Sequence, residues 1–280
     1  MSSKNEFPNY LGFAEVKALE ETSRKLRRRI LQVAEGRGGH IGGSFSSIDI
    51  ILTLYKNILE KDLVNPDWSD RDRFILSKGH CSLALYAVLE EVGFLKAGEL
   101  DTYTLKDSRL AGHAEHFEIP AIEMTTGSLG HGISCAAGIA LAGHLTNKNW
   151  RVFCIVGDGE CNEGSVWEAL MFISQYKLQN IFVIVDNNKM ESLDMTRNII
   201  SIEPLADKFA SFNFEVREIN GHDFQEIHCA LVTKPQSGMP VIIIANTTKG
   251  KGVSFMEDTP KWHFRAPDKI ELQKALEELY

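Results

Sequence analysis

From Trp150 onward, short apolar runs alternate with amphipathic stretches, a pattern that predicts successive βαβ units. The runs fall at 152–156, 181–185, 214–219 and 241–245, bounded by Gly, Asn, Asp or Pro, as the core strands of a parallel sheet are. Between them, 163–178, 204–212 and 223–234 carry apolar residues at helical spacing, with lengths suited to crossovers that cover both sheet faces. The first half is more helical, with stretches at 13–35, 45–59, 81–92 and 129–145 and one further apolar run, "RFIL", at Arg73–Leu76. The expected fold is therefore α/β: a doubly wound, mainly parallel sheet with helices on both faces. No tandem repeat, low-complexity linker or composition break interrupts the chain, so residues 1–280 are expected to form one domain with a helical N-terminal portion. The amphipathic segment 268–280 either packs on that domain, the simpler reading, or docks a partner.

Composition narrows the function classes. The 280 residues, 44% of them apolar, can build one large core or two modest ones. Thirty basic side chains against 38 acidic ones leave a formal charge of −8, so no field-driven affinity for nucleic acid or anionic lipid is expected. The basic cluster "SRKLRRR" at 23–29 lies within a helical stretch and reads as a solvated or subunit-facing helix surface. Five cysteines without CxxC spacing are expected to be reduced and structural. The N-terminal "MSSKNEFPNYLGF" has no leader pattern, and no run reaches the roughly 18 apolar residues a membrane span demands, so a cytoplasmic protein is expected.

The chemistry concentrates where the run 152–156 stops on an acid between two glycines, "VFCIVGDGECNEG". In an open parallel sheet, ligands collect outside the carboxyl ends of the strands, which is where Asp158 stands. Gly157 and Gly159 permit a sharp turn and close phosphate approach, and a helix beginning near Glu163 would aim free N–H groups into the same space. An aspartate beside a phosphate repels it unless a divalent cation sits between them. The next run ends in "DNNKM", so Asn188 and a following backbone carbonyl supply hard oxygen donors beside Asp158, as Mg2+ or Ca2+ prefers and zinc does not. GDG alone is an ordinary turn. GDG followed, across residues 160–187, by the second asparagine of "NN", each closing an apolar strand, resembles the thiamine diphosphate motif. No GxxxxGK[ST] occurs, and no GxGxxG follows a strand.

Histidines in "GRGGHIGGS" (His40), "LSKGHCSLALY" (His80), "LAGHAEHFEIP" (His113) and "TPKWHFRAP" (His263), together with "TTGSLGHG" at 125–132, resemble the cofactor-domain pattern of the transketolase family from about residue 13 to about 267. That resemblance implies a thiamine diphosphate-binding fold and thiamine diphosphate with Mg2+, for which Ca2+ or Mn2+ can substitute. It implies that Asp158, Asn188 and the Met190 carbonyl hold the metal, and that Gly159, His80, Asn188 and His263 contact the diphosphate. It places Gly127, Ser128 and Leu129 along the aminopyrimidine, His113 at the donor ketose hydroxyls, and His40 with His263 near the reacting carbonyl, where imidazoles can exchange protons with sugar hydroxyls. Glu163 suits the first turn of a helix, while in the family its equivalent joins a proton-linked network between active sites, which would count it with the catalytic and cofactor residues.

Full transketolases are more than twice this length, and their second domain carries the glutamate that activates the cofactor. The resemblance therefore implies the N-terminal subunit of a split transketolase, acting on sugar phosphates with a separate C-terminal subunit, in an α2β2 assembly. The chain departs from the family pattern at His131, where many members have glutamine, and at Phe264 and Arg265, where many have small residues. Arg265 could meet a substrate's phosphate or face solvent, and "KGKG" at 249–252 could approach phosphates or mark a flexible surface loop. The α chain of a 2-oxoacid dehydrogenase E1 component, a deoxyxylulose-phosphate synthase and a non-catalytic thiamine diphosphate-binding regulator are the alternatives. The "SKGH" and "TTGSLGHG" elements favour transketolase over the first.

Overall fold

A computed structural model describes residues 10–116, 119–235 and 238–280, so positions 1–9 of the N-terminal stretch, where a leader would lie, are outside the described residues. The strands are β1 (Arg73–Leu76), β2 (Val152–Gly157), β3 (Ile181–Asn187), β4 (Glu215–Asn220) and β5 (Val241–Asn246). The helices are α1 (Phe13–Ala34), α2 (Ile41–Thr53), α3 (Ser82–Val92), α4 (Gly132–Leu145), α5 (Gly164–Gln175), the single turn α6 (Thr196–Ile199), α7 (Leu205–Ser211), α8 (Phe224–Val232) and α9 (Lys269–Glu278). All strand pairings are parallel, in the order β1-β2-β3-β5-β4, with Val156 opposite Val185 and Gly157 opposite Asp186. The register aligns the carboxyl ends of β2 and β3, which is the requirement for one ligand to touch both.

Alternation along the strands explains why helices cover both faces. Phe74, Phe153, Ile155, Phe182, Ile184 and Ile243 point to one side, where α1, α2, α3, α8 and α9 bury them. Ile75, Cys154, Val156, Val183, Val185 and Ile244 point to the other, under α4, α5 and α7. Each such side chain contributes about 1.5–3 kcal/mol relative to exposure, so the two-faced runs β2, β3 and β5 anchor the sheet. The edge strand β4, with Glu215, Arg217 and Glu218, is only partly covered. Every residue of α2 is buried, and its small residues let neighbours press close: a Cβ on Gly43 would lie 2.8 Å from Cys81 Sγ. Helix α9 packs back on α1 through Ala275 and Leu279, as the simpler reading of 268–280 expected.

The structure corrects several boundaries. The stretch expected to begin at 45 starts at Ile41, because burial among α1, α3 and the sheet outweighs the low helix propensity of Gly42 and Gly43, and it ends in a π turn at Leu54–Ile58. The helix expected at 163–178 starts at Gly164, after a separate 3₁₀ turn at Gly159–Asn162. The expected solvated face at 23–29 is a surface only in part. Arg27 is buried, bonded to Asp49 at 2.7 Å and to the Phe45 carbonyl at 2.8 Å, and Ser23 and Leu26 are buried beside it. All five cysteines are free thiols: Cys81, Cys154 and Cys161 are buried, Cys229 is half-buried and Cys135 exposed. Among the described residues, no helix is long and apolar enough to cross a membrane.

Candidate functional site

The carboxyl ends of β1, β2, β3 and β5 open into one cavity of about 270 Å³. His40 enters from the N-cap of α2, His80 from the turn after β1, and His113 and His263 from long loops. Asp158 and Gly159 follow β2, Asn188 and Met190 follow β3, and Gly127 and Leu129 come from the turn before α4. Ten of the expected site residues thus line a single space; Ser128 and Glu163 are not among its walls. Glu163 caps α5 and lies against Gly130.

Asp158 is almost fully buried, and its carboxylate accepts hydrogen bonds from Gly159 N–H at 2.8 Å and from Lys189 N–H. Burial and then the neighbouring Asp186 push its pKa up to about 7. Asn188 is equally enclosed; its Oδ1 accepts from Met190 N–H at 3.1 Å and its Nδ2 donates to Asp186 at 3.2 Å. The donor set fits a hard divalent cation: one carboxylate, one amide oxygen and one backbone carbonyl at the ends of paired strands. Among the described residues, no group of three or more His, Cys, Asp or Glu is placed to hold a metal, so any ion here would rest on one carboxylate with amide and carbonyl oxygens.

The histidines form a connected group. The His40 ring centroid lies 5.1 Å from those of His80 and His263 and 5.6 Å from that of His113. Buried His40 Nδ1 has no protein partner, a polar atom left for a ligand. Burial, followed by neighbouring cationic groups, lowers His40 to about 4 and His263 to about 3, and holds His80 well below the ordinary imidazole range. These rings are neutral at neutral pH and can donate from one nitrogen while accepting at the other. In the ligand-free chain, NMR ring titrations are therefore expected to show His40 and His263 still neutral at pH 5. Because the unfolded imidazoles charge near 6.5, this contribution to stability is present above that pH and is lost as pH falls towards about 4. A normal imidazole titration in the folded chain would count against this arrangement.

Two lysines complete the cavity. Lys78, which no sequence expectation placed there, is 2% exposed and forms an ion pair with fully buried Asp186, whose carboxylate also accepts from Ser46 (2.6 Å), Thr247 and Asn188. Lys249 was expected either near phosphates or in a flexible surface loop; it stands in a turn, but is only 3% exposed and bonds to the Glu191 carbonyl at 2.7 Å and His263 Nδ1 at 3.1 Å. Burial and then Lys78 lower its pKa to about 8. The one available sequence signal for Lys78 was a cation two residues after the buried run 73–76, a place where charge needs a partner. Arg265 is half-buried, only partly open to solvent; it bonds to Glu271 at 2.6 Å and lies 4.2 Å from the Trp262 ring centroid. Phe264 remains exposed and its ring leans on His40, 4.8 Å between centroids.

The family described as "Transketolase, thiamine diphosphate binding domain" matches residues 17–278. The chain is 40% identical over 266 residues to an apulose-4-phosphate transketolase subunit of Actinobacillus succinogenes, covering 93% of this chain and 95% of that one. It is 41% identical over 220 residues to a 6-deoxy-6-sulfo-D-fructose transketolase subunit of a Clostridium species, covering 78% and 80%. Among solved structures, the transketolase of Campylobacter jejuni superposes with a TM-score of 0.87 at 30% identity, covering 96% of this chain and 43% of that one. The chain thus spans about two fifths of the length of the solved transketolases it matches.

Proposed function

Since this chain belongs to the transketolase family, whose thiamine diphosphate-binding domain it carries, we propose that it is the N-terminal subunit of a split transketolase. In this role it moves a two-carbon ketol unit from a ketose phosphate, or a related modified sugar, to an aldose acceptor. The observation that carries this reading is the seating of Asp158 and Asn188 at the aligned ends of β2 and β3, within a cavity that also gathers His40, His80, His113, His263, Lys78 and Lys249.

Asp158, Asn188 and the Met190 carbonyl would hold Mg2+; His80, His263, Gly159 and Asn188 would contact the diphosphate; and Gly127 and Leu129 would offer backbone groups to the aminopyrimidine. When bound, thiamine diphosphate supplies the electron sink for the carbanion formed on ketose cleavage. The chain's own contribution is binding, orientation and proton handling. Lys78 and Lys249 bring positive charge to an otherwise acidic strand end. His113, on the cavity wall, would hold donor hydroxyls. His40 and His263, kept neutral by burial, can take a proton from a sugar hydroxyl at one nitrogen and return it. Relatives of this length that are themselves named as transketolase subunits support a separate partner chain. That partner would supply the rest of the site, with Glu163 near the boundary and an α2β2 assembly as the proposed form.

The test is reconstitution. With thiamine diphosphate and Mg2+, the chain alone is expected to transfer no ketol unit, and addition of the C-terminal subunit is expected to restore transfer from at least one ketose phosphate. A reconstituted pair that decarboxylates 2-oxo acids instead, or that binds cofactor tightly yet uses no ketose, would overturn the assignment.

A further inference from the structure

Glu160, the residue two places after Asp158, is 2% exposed and lines the cavity, yet no role above uses it. Its carboxylate gathers donors from three separate segments. Oε1 accepts from Gly130 N–H at 2.8 Å and from the Ser77 hydroxyl, and Oε2 accepts from Gly157 N–H at 3.0 Å. These donors belong to the turn before α4, the end of β1 and the end of β2. The turn has little freedom on its other sides. Gly130 has a φ of +79°, and a Cβ there would lie 2.3 Å from Ser165 Oγ and 2.8 Å from Glu163 Cβ; one on Gly132 would lie 2.7 Å from Ser77 Cα. The turn is thus pressed against Ser77, Glu163 and Ser165, and the Glu160 carboxylate bridges it to β2.

Building on the thiamine diphosphate reading, we propose that Glu160 is a positioning residue: its carboxylate ties the 127–130 turn to the end of β2. It thereby sets the separation between the walls that receive the cofactor's rings, Gly127 and Leu129, and the walls that grip its metal and diphosphate, Asp158 and Gly159. The chemistry requires an ionised carboxylate and not merely a polar side chain of that shape. Glutamine has one oxygen and one NH2, so at least one of two fixed backbone N–H groups would face another donor, whereas only the Ser77 hydroxyl can turn to accept.

The experiment compares the full-length wild type with Glu160→Gln by calorimetry in saturating Mg2+, using thiamine diphosphate and inorganic pyrophosphate as separate probes. Wild type is expected to bind thiamine diphosphate more tightly than pyrophosphate. Glu160→Gln is expected to lose about tenfold for thiamine diphosphate while pyrophosphate affinity stays within about twofold, as follows from one fixed hydrogen bond to a charged group. Equal loss for both probes would make Glu160 a strut of the whole site, and no loss for either would leave it without a positioning role; each result overturns the proposal while the thiamine diphosphate reading stands. A wild type that binds neither probe, both alone and with its C-terminal subunit, overturns both. Should Glu160→Gln fail to fold, Ser77→Ala, which removes one donor and keeps the carboxylate, is expected to show the same selective loss at smaller size, and an unselective loss there overturns the proposal.

Discussion

Replacement of Asp158 by alanine is expected to abolish Mg2+-dependent binding of thiamine diphosphate, with a loss of more than about 100-fold, since even the outer partners of metal ligands are worth 10–100-fold. The reason lies in charge. Three carboxylates line the cavity, Asp158, Glu160 and Glu191; Glu160 is engaged by Gly130, Gly157 and Ser77, Glu191 accepts from Asn162 at 3.0 Å, and Asp186 close by is engaged by Lys78, Ser46, Thr247 and Asn188. Asp158 is the carboxylate that stands with Asn188 at the paired strand ends, and without it a diphosphate and a divalent ion lose the group that joins them to β2. Its carboxylate also accepts from Gly159 and Lys189 N–H, so alanine alone would mix lost metal binding with two disturbed amides. Asp158→Asn separates the two: it keeps an oxygen for an amide and removes the charge. Both variants are expected to fail in calorimetry with Mg2+ and thiamine diphosphate while retaining wild-type circular dichroism. Wild-type affinity in either would show that the metal is held elsewhere or is not needed.

The Asp158 and Asn188 pair was legible in the sequence because both residues end apolar runs buried on both faces, and a polar residue at the tip of such a run must meet a ligand or a partner. The same burial made β2, β3 and β5 readable to within a residue or two. Helix α2 was legible only from residue 45 onward. Its first turn contains Gly42 and Gly43, which local propensity assigns to a loop and which tertiary packing converts to helix. Lys78 was legible only as a cation close behind a buried run, and Lys249 only as one of two alternatives, for a related reason. A lysine in a polar loop is solvated by default, and what buries these two comes from far along the chain: Asp186 for Lys78, Glu191 for Lys249. Arg27 failed in the same way, since its partner Asp49 lies on another helix. Glu163 and Ser128 were placed at the site by resemblance, and the isolated chain leaves them outside the cavity walls, where a partner subunit would have to complete any role they have.

The largest effect on stability is expected at Asp186. Its carboxylate is fully buried; burial alone would raise its pKa, but Lys78 and the Ser46 and Thr247 hydroxyls hold it below the usual carboxylate range. Burial likewise opposes the charge on Lys78, and Asp186 reverses the sign, raising that ammonium's pKa. Both shifts describe an ion pair that is charged in the folded chain. Asp186→Ala leaves a buried ammonium without its carboxylate and is expected to cost about 3–5 kcal/mol, or roughly 10 °C in melting temperature. Lys78→Met removes the opposite partner but leaves the carboxylate with Ser46, Thr247 and Asn188 as donors, so the expected cost is smaller, about 1–3 kcal/mol. The double variant should therefore lose less than the sum of the two, a coupling readable from urea unfolding of all four proteins. Since Asp186 also orients the Asn188 amide, Asp186→Ala should weaken Mg2+ binding as well, whereas Lys78→Met should leave the Asn188 contact in place. Additive losses, or an Asp186→Ala variant within about 1 kcal/mol of wild type, would mean that the pair is not what holds the ends of β1 and β3 together beneath the cavity.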